Sequence, residues 1–161
     1  MKEKVLLTGI SGFIGLHCAR ELLEAGYNVC GTVRSKVKEK TVLDSLTQSN
    51  VDIKNLEFAV VDLTSDKGWG KAIENCDFVM HVASPFSVTN PKHDAEMIVP
   101  AVEGTQRIMK FSQKAQIKRI VLTSSIVSMM CSIRNGQFGP NDWTDVNLSL
   151  IHISEPTRRT P

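Results

Sequence analysis

Residues 4–15 read KVLLTGISGFIG, a compact apolar run followed by glycines at 9, 12 and 15. Five strand-forming residues that end on a glycine, with a helical pattern resuming at Phe13, place a sharp strand-to-helix turn at Gly9. Three needs meet at such a junction: a tight turn, no side chain where a pyrophosphate approaches, and close contact between helix and strand. The helix then offers unpaired N–H groups and a partial positive charge at its start. Thr8, Gly9, Gly12, Phe13, Ile14 and Gly15 are accordingly the candidate phosphate-binding residues.

Outward from that turn the chain alternates between β-branched runs and helical stretches. Ile14, Cys18, Leu22 and Ala25 recur at helical spacing over residues 13–25, and Gly26 stops the helix. A second strand is expected over residues 28–33 (NVCGTV), then an exposed, lysine-rich helix over 35–48. Further strands are expected over residues 56–61 (LEFAVV), 78–82 (FVMHV) and 118–123 (KRIVLT). A short helix over 66–75 and a long one over 93–115 separate them, the latter burying Ile98, Val102, Ile108 and Met109 and kinked at Pro100. Gly104 in that helix permits close packing on the sheet. Alternation of this kind implies right-handed crossovers and an α/β fold: a doubly wound, parallel, Rossmann-type sheet, here truncated after its fifth strand.

Composition narrows the class. A chain of 161 residues has a one-domain length and buries roughly 70% of its unfolded surface. A net charge of +2 with no clustered basic run argues against nucleic acid and anionic membranes as partners. Apolar runs stop short of the roughly 18 residues that span a bilayer, and the N-terminus enters a strand with no room for a signal peptide. Cys18, Cys30, Cys76 and Cys131 show no C-x-x-C spacing, which favours free thiols over metal ligation or disulfides. A soluble, cytoplasmic protein is expected.

The second strand ends in Thr32-Val33-Arg34-Ser35. Enzymes that use NAD carry an acid at this point for the ribose hydroxyls. A guanidinium instead suits a 2′-phosphate through paired, charge-assisted hydrogen bonds. Arg34 therefore selects NADP, with Ser35, Lys36 and Lys38 near enough to assist; a solvated helix face is the alternative for the lysines.

The spacing G-x-x-G-x-x-G in TGISGFIG, followed by Leu16-His17, resembles the extended short-chain dehydrogenase/reductase family, which is NAD-dependent epimerase/dehydratase-like. The runs GTVRS (31–35), HVASP (81–85), VPAVEGTQRIMK (99–110) and NDWTD (141–145) resemble its dihydroflavonol reductase-like branch, over residues 4 to about 147. The resemblance implies that Asp62 and Leu63 meet the adenine, although Asp62 is also suited to capping a turn. It places Val82, Ala83 and Ser84 near the ribose and nicotinamide, and Thr123 and Ser124 beside them. Ser125 would donate a hydrogen bond to a substrate carbonyl oxygen, where negative charge develops as hydride arrives. The family's tyrosine acid and the lysine four residues beyond it are not found, since the only tyrosine is Tyr27, in the turn after the first helix. An asparagine that holds flavonoids in the branch is replaced by Met130, which speaks against a flavonoid; Met129, Met130 and Ile133 would line an apolar pocket or pack a core.

The implied activity is NADPH-dependent reduction of a small-molecule aldehyde or ketone. A nucleotide-sugar epimerase or dehydratase of the same fold and a non-catalytic NADP-binding redox sensor are the alternatives. Residues 148–158 (LSLIHISEPTR) resemble the conceptual translation of a transposase adapter from DNA sequencing libraries. The expectation is thus an incomplete NADP-binding domain over residues 1–147, a non-native tail over 148–161 and an absent C-terminal substrate lobe. Such a chain should bind NADPH weakly and turn over no carbonyl substrate.

Overall fold

The computed structural model describes residues 2–85, 93, 95–130 and 137–144. The expectations for residues 148–161 and for Ile133 and Cys131 lie outside them. Two compact units divide the chain, residues 1–122 and 123–161. The first contains β1 (Lys4–Thr8), α1 (Phe13–Glu24), β2 (Asn28–Val33), α2 (Lys36–Gln48), β3 (Leu56–Val60), α3 (Trp69–Ile73), β4 (Phe78–His81), α4 (Ala95–Lys114) and β5 (Arg119–Leu122). All strand pairs are parallel, in the order β3-β2-β1-β4-β5. The order reverses between β1 and β4, and the carboxyl ends there open the crevice in which sheets of this type hold ligands.

Alternation along β1 and β2 builds a core on each face of the sheet. Leu7, Val29 and Val33 pack with Ala19 and Leu23 of α1 and Val42 and Leu46 of α2. Leu6, Cys30 and Val79 pack on the other face with Trp69, Ala72 and Ile73 of α3 and Ile108 of α4. Leu6 and Leu7 are both fully buried, one into each layer, for about 2 kcal/mol apiece. Strands covered on both faces read as continuous apolar runs, which is why KVLLT and FVMHV carry no polar alternation.

Several boundaries differ from the sequence reading. α3 is confined to five residues between Gly68 and Asn75, whose φ values of 87° and 59° lie in the left-handed region. β4 stops at His81 because the N–H groups of Val82 and Ala83 turn to the Thr8 hydroxyl. The buried stripe of α4 is Gly104, Ile108 and Ser112, while Ile98 and Val102 are 57% and 47% exposed. Val102 lies two residues, roughly 200° of helical rotation, before Gly104 and so faces away from the sheet. β5 forms one edge, with Val121 and Leu122 about half exposed. Among the described residues no helix is long and apolar enough to cross a membrane.

One buried group on α4 is unsatisfied: Ser112 Oγ has no hydrogen-bond partner. An unpaired hydroxyl in an apolar layer costs its desolvation without return. Ser112→Ala is expected to raise unfolding stability by about 1 kcal/mol, read as a higher urea midpoint at unchanged slope; a lower midpoint would show that the hydroxyl has a partner.

Candidate functional site

A cleft of about 700 Å³ lies over the carboxyl ends of β1, β2, β3 and β4. Its floor begins where β1 ends. Gly9 turns with φ of 73°, and a Cβ there would stand 2.9 Å from the Ala83 backbone. Only glycine satisfies both conditions. Gly15, one turn into α1, packs so closely on the Gly9–Ile10 backbone that a Cβ would collide with the Gly9 carbonyl. At Gly12 a Cβ would meet nothing nearer than Gly9 O at 3.4 Å, which keeps this side of the turn open. The first helical bond of α1 runs from Leu16 N–H to Gly12 O at 2.9 Å. The N–H groups of Phe13, Ile14 and Gly15 precede that bond, and Gly12 has no side chain with which to cap them. All three residues line the cleft, Phe13 and Ile14 with exposed side chains.

Beneath this turn a buried polar knot ties β1, β2 and β4 together. Thr8 and His81 are direct partners in the β1–β4 register, and Thr8 Oγ1 lies 2.7 Å from His81 Nδ1. The same oxygen accepts from Val82 N–H at 3.1 Å and Ala83 N–H at 3.0 Å. With both lone pairs taken, the Thr8 proton goes to His81 Nδ1. His81 is thereby assigned as the neutral imidazole carrying its proton on Nε2, and burial holds its pKa below the ordinary histidine value. Gly9 N–H donates to Thr32 Oγ1 at 3.2 Å, adding the end of β2.

The far wall carries the charged groups. Arg34, one residue past β2, lines the cleft, and no carboxylate stands at that strand end. Asp62 and Leu63 follow β3. Asp62 Oδ1 accepts from Thr64 N–H at 2.8 Å and Thr64 Oγ1–H at 2.7 Å, so the carboxylate both closes a turn and keeps Oδ2 open. Those hydrogen bonds, and more weakly Arg34 and Arg107, hold its pKa below the usual carboxylate range. Val82, Ala83 and Ser84 line the side formed by the end of β4.

Of the residues singled out in the sequence, Gly9, Gly12, Phe13, Ile14, Gly15, Arg34, Asp62, Leu63, Val82, Ala83 and Ser84 are thus brought to one cleft. Thr8 lies fully buried below it. Lys38 is exposed on α2 and is not part of the lining. Thr123, Ser124 and Ser125 belong to the second unit, which contains α5 (Val127–Met130). There Ser125 Oγ accepts from Val127 N–H at 3.3 Å and keeps its own proton to donate, while Ser128 Oγ donates to Ser125 O at 2.6 Å. Thr144 holds the other end of α5, its N–H on Ser128 O at 2.8 Å and its hydroxyl on Val127 O.

Sequence reasoning passed over His81, Thr32, Thr64, Trp69 and Arg107. An imidazole within the apolar run FVMHV was the available signal, since a histidine on a strand covered on both faces requires a buried partner. Cys30 and Cys76 carry no reactive thiolate: burial pushes the Cys30 thiol up to about 12 and the Cys76 thiol up to about 11. Among the described residues, no three histidine, cysteine or acidic side chains gather as a metal site.

The chain matches the model of the NAD dependent epimerase/dehydratase family over residues 5–137. It is 42% identical over 139 residues to the ketoreductase azaE of Aspergillus niger, covering 81% of this chain and 40% of that protein. To a dihydroflavonol 4-reductase of Arabidopsis thaliana it is 37% identical over 151 residues, covering 92% of this chain and 39% of the relative. The yeast methylglyoxal/isovaleraldehyde reductase Gre2, solved with NADPH, superposes with a TM-score of 0.74 at 26% identity, covering 87% of this chain and 43% of that one. The chain spans about 40% of the length of the curated relatives it matches.

Burial of His81 as a neutral imidazole makes the fold sensitive to pH. The folded imidazole titrates below the unfolded value of about 6.5, so the unfolded chain takes up the proton first as pH falls. The stability that the neutral, buried imidazole contributes is therefore complete above about pH 6.5, declines below it, and levels off once the folded imidazole titrates. In His81→Asn, Oδ1 replaces Nδ1 as a non-titrating acceptor. Urea unfolding at pH 7.5 and 5.5 should show a smaller loss for the variant than for the unaltered chain; equal losses would refute the assignment.

Proposed function

Since the chain belongs to the NAD dependent epimerase/dehydratase family, we propose that it is the NADP-binding part of a reductase that converts a small-molecule aldehyde or ketone to its alcohol. The observation that carries this reading is Arg34, alone at the end of β2 and lining the same cleft as the glycine turn. Support comes also from the kind of relatives the chain has, a ketoreductase and an aldehyde reductase bound to NADPH among them.

The residues present fit the cofactor. A side of the turn left open by Gly12, beside uncapped N–H groups at the start of α1, suits a pyrophosphate. The Arg34 guanidinium takes the 2′-phosphate, Asp62 Oδ2 accepts from the adenine amine, and Leu63 offers its backbone to the ring. Val82, Ala83 and Ser84 border the ribose and nicotinamide end. When bound, NADPH supplies the hydride. Ser125 keeps its hydroxyl proton available and donates it as a hydrogen bond to the carbonyl oxygen, stabilising charge that grows there. Lys38 acts only by adding positive potential near the 2′-phosphate, an effect that salt screens. A nucleotide-sugar epimerase would call for an acid where Arg34 stands, and no residue of the cleft favours that reading.

The test is equilibrium binding of NADPH and NADH to the full chain and to Arg34→Gln. A charge-assisted bond to phosphate is worth roughly a 10- to 100-fold difference in affinity. The unaltered chain should prefer NADPH, and the variant should lose that preference with NADH affinity unchanged. Equal affinity of the unaltered chain for the two would overturn the NADP assignment.

A further inference from the structure

The loop after β3 is held by side chains of two helices. Trp69, buried at the start of α3, donates Nε1–H to Asp62 O at 2.9 Å. Arg107 of α4 donates Nη1–H to Leu63 O and pairs through Nε with Asp66, its own side chain only 15% exposed. Leu63 rests directly on α4: a Cβ on Gly104 would come within 3.2 Å of Leu63 Cβ. Two successive carbonyls and the side chain between them are thus pinned to the helical layer.

Pinning the carbonyls directs the amides. In a trans peptide C=O and N–H point opposite ways. Drawing Asp62 O to the indole therefore turns Leu63 N–H away from it. Drawing Leu63 O to the guanidinium leaves Thr64 N–H turned the other way, where it meets Asp62 Oδ1 at 2.8 Å. That bond and the Thr64 hydroxyl fix the carboxylate, so the loop presents an open carboxylate oxygen beside a directed N–H. An acceptor next to a donor complements the amine and adjacent ring nitrogen of an aminopurine.

We infer that Trp69 and Arg107 are positioning residues that aim the Asp62 carboxylate and the Leu63 N–H at the amino edge of adenine. The inference rests on the cleft holding NADP. Neither side chain needs to touch the cofactor for this role; each acts through a main-chain oxygen.

The probe is a pair of ligands, 2′,5′-ADP and its hypoxanthine counterpart, in which the amine is replaced by a carbonyl. Equilibrium binding of both to the full chain measures discrimination at the amino edge. The unaltered chain should prefer the adenine compound, by roughly three- to tenfold for one hydrogen bond. Trp69→Phe and Arg107→Gln should weaken the adenine compound until the preference approaches unity, leaving the hypoxanthine compound nearly unaffected. Arg107→Lys, which keeps a charged donor, should recover part of the preference. A merely structural role would weaken both ligands in parallel and overturn the inference, as would variants that discriminate like the unaltered chain. If Trp69→Phe does not fold, the two Arg107 variants decide. Binding of both ligands without preference, but weakened by Arg34→Gln, sinks this inference and leaves the cofactor reading standing; binding of neither sinks both.

Discussion

No side chain fits between α1 and the strand it leaves. Gly15 lies on the Gly9–Ile10 backbone at a separation that even one methyl group would break. This constraint sets where the helix starts, and with it where the unpaired N–H groups of Phe13, Ile14 and Gly15 stand relative to the strand ends. It also governs the other half of the crevice. Gly9 turns under the Ala83 backbone at the end of β4, so the same tight junction joins the two strands between which the sheet order reverses. A larger residue at 9 or 15 would move the helix and the strand end together, and the cleft would lose its floor.

A turn so short leaves backbone groups that the sheet cannot pair. The Thr8 hydroxyl absorbs two of them, Val82 N–H and Ala83 N–H, and donates its own hydrogen bond to His81 Nδ1. One buried side chain thus ends β4, directs the next two residues along the cleft wall and dictates a histidine tautomer. Its cost is that an imidazole must stay neutral inside the protein, which burial achieves by depressing its pKa. Surface ion pairs such as Arg20–Glu24 contribute little by comparison, because water screens them.

Much of this was legible in the sequence, and the reason is local. The strands of residues 4–8 and 28–33 and the glycine turn announce themselves through neighbouring residues alone, and the structure places them at Lys4–Thr8 and Asn28–Val33. The cleft residues could be collected because they sit at the ends of readable strands or in the first turn of the helix that follows β1. What escaped depends on pairing across long stretches of chain. Thr8 meets His81 only through a register between strands 73 positions apart. The buried face of α4 was legible only in part, for a related reason: Ile108 and the close-packing Gly104 lie on it as read, whereas Ile98 and Val102, equally apolar, are exposed, and Ser112 gives no apolar signal of its burial. On the buried face, Gly104 allows close approach to Leu63 and Ile108 packs into the core.

The doubly wound layout gives the cleft two kinds of wall, and they differ in what they can recognise. From one face α1 contributes main-chain N–H groups at a helix start, which bind any phosphate and select little. From the other face α3 and α4 send Trp69 and Arg107 to hold the loop after β3, a segment with a defined order of acceptor and donor. On the proposed NADP reading, selectivity comes from that loop and from Arg34, while the glycine turn supplies strength. Because the two walls hang on opposite layers of the sheet, on the proposed reading substitutions in α4 alter what the cleft prefers without disturbing the start of α1.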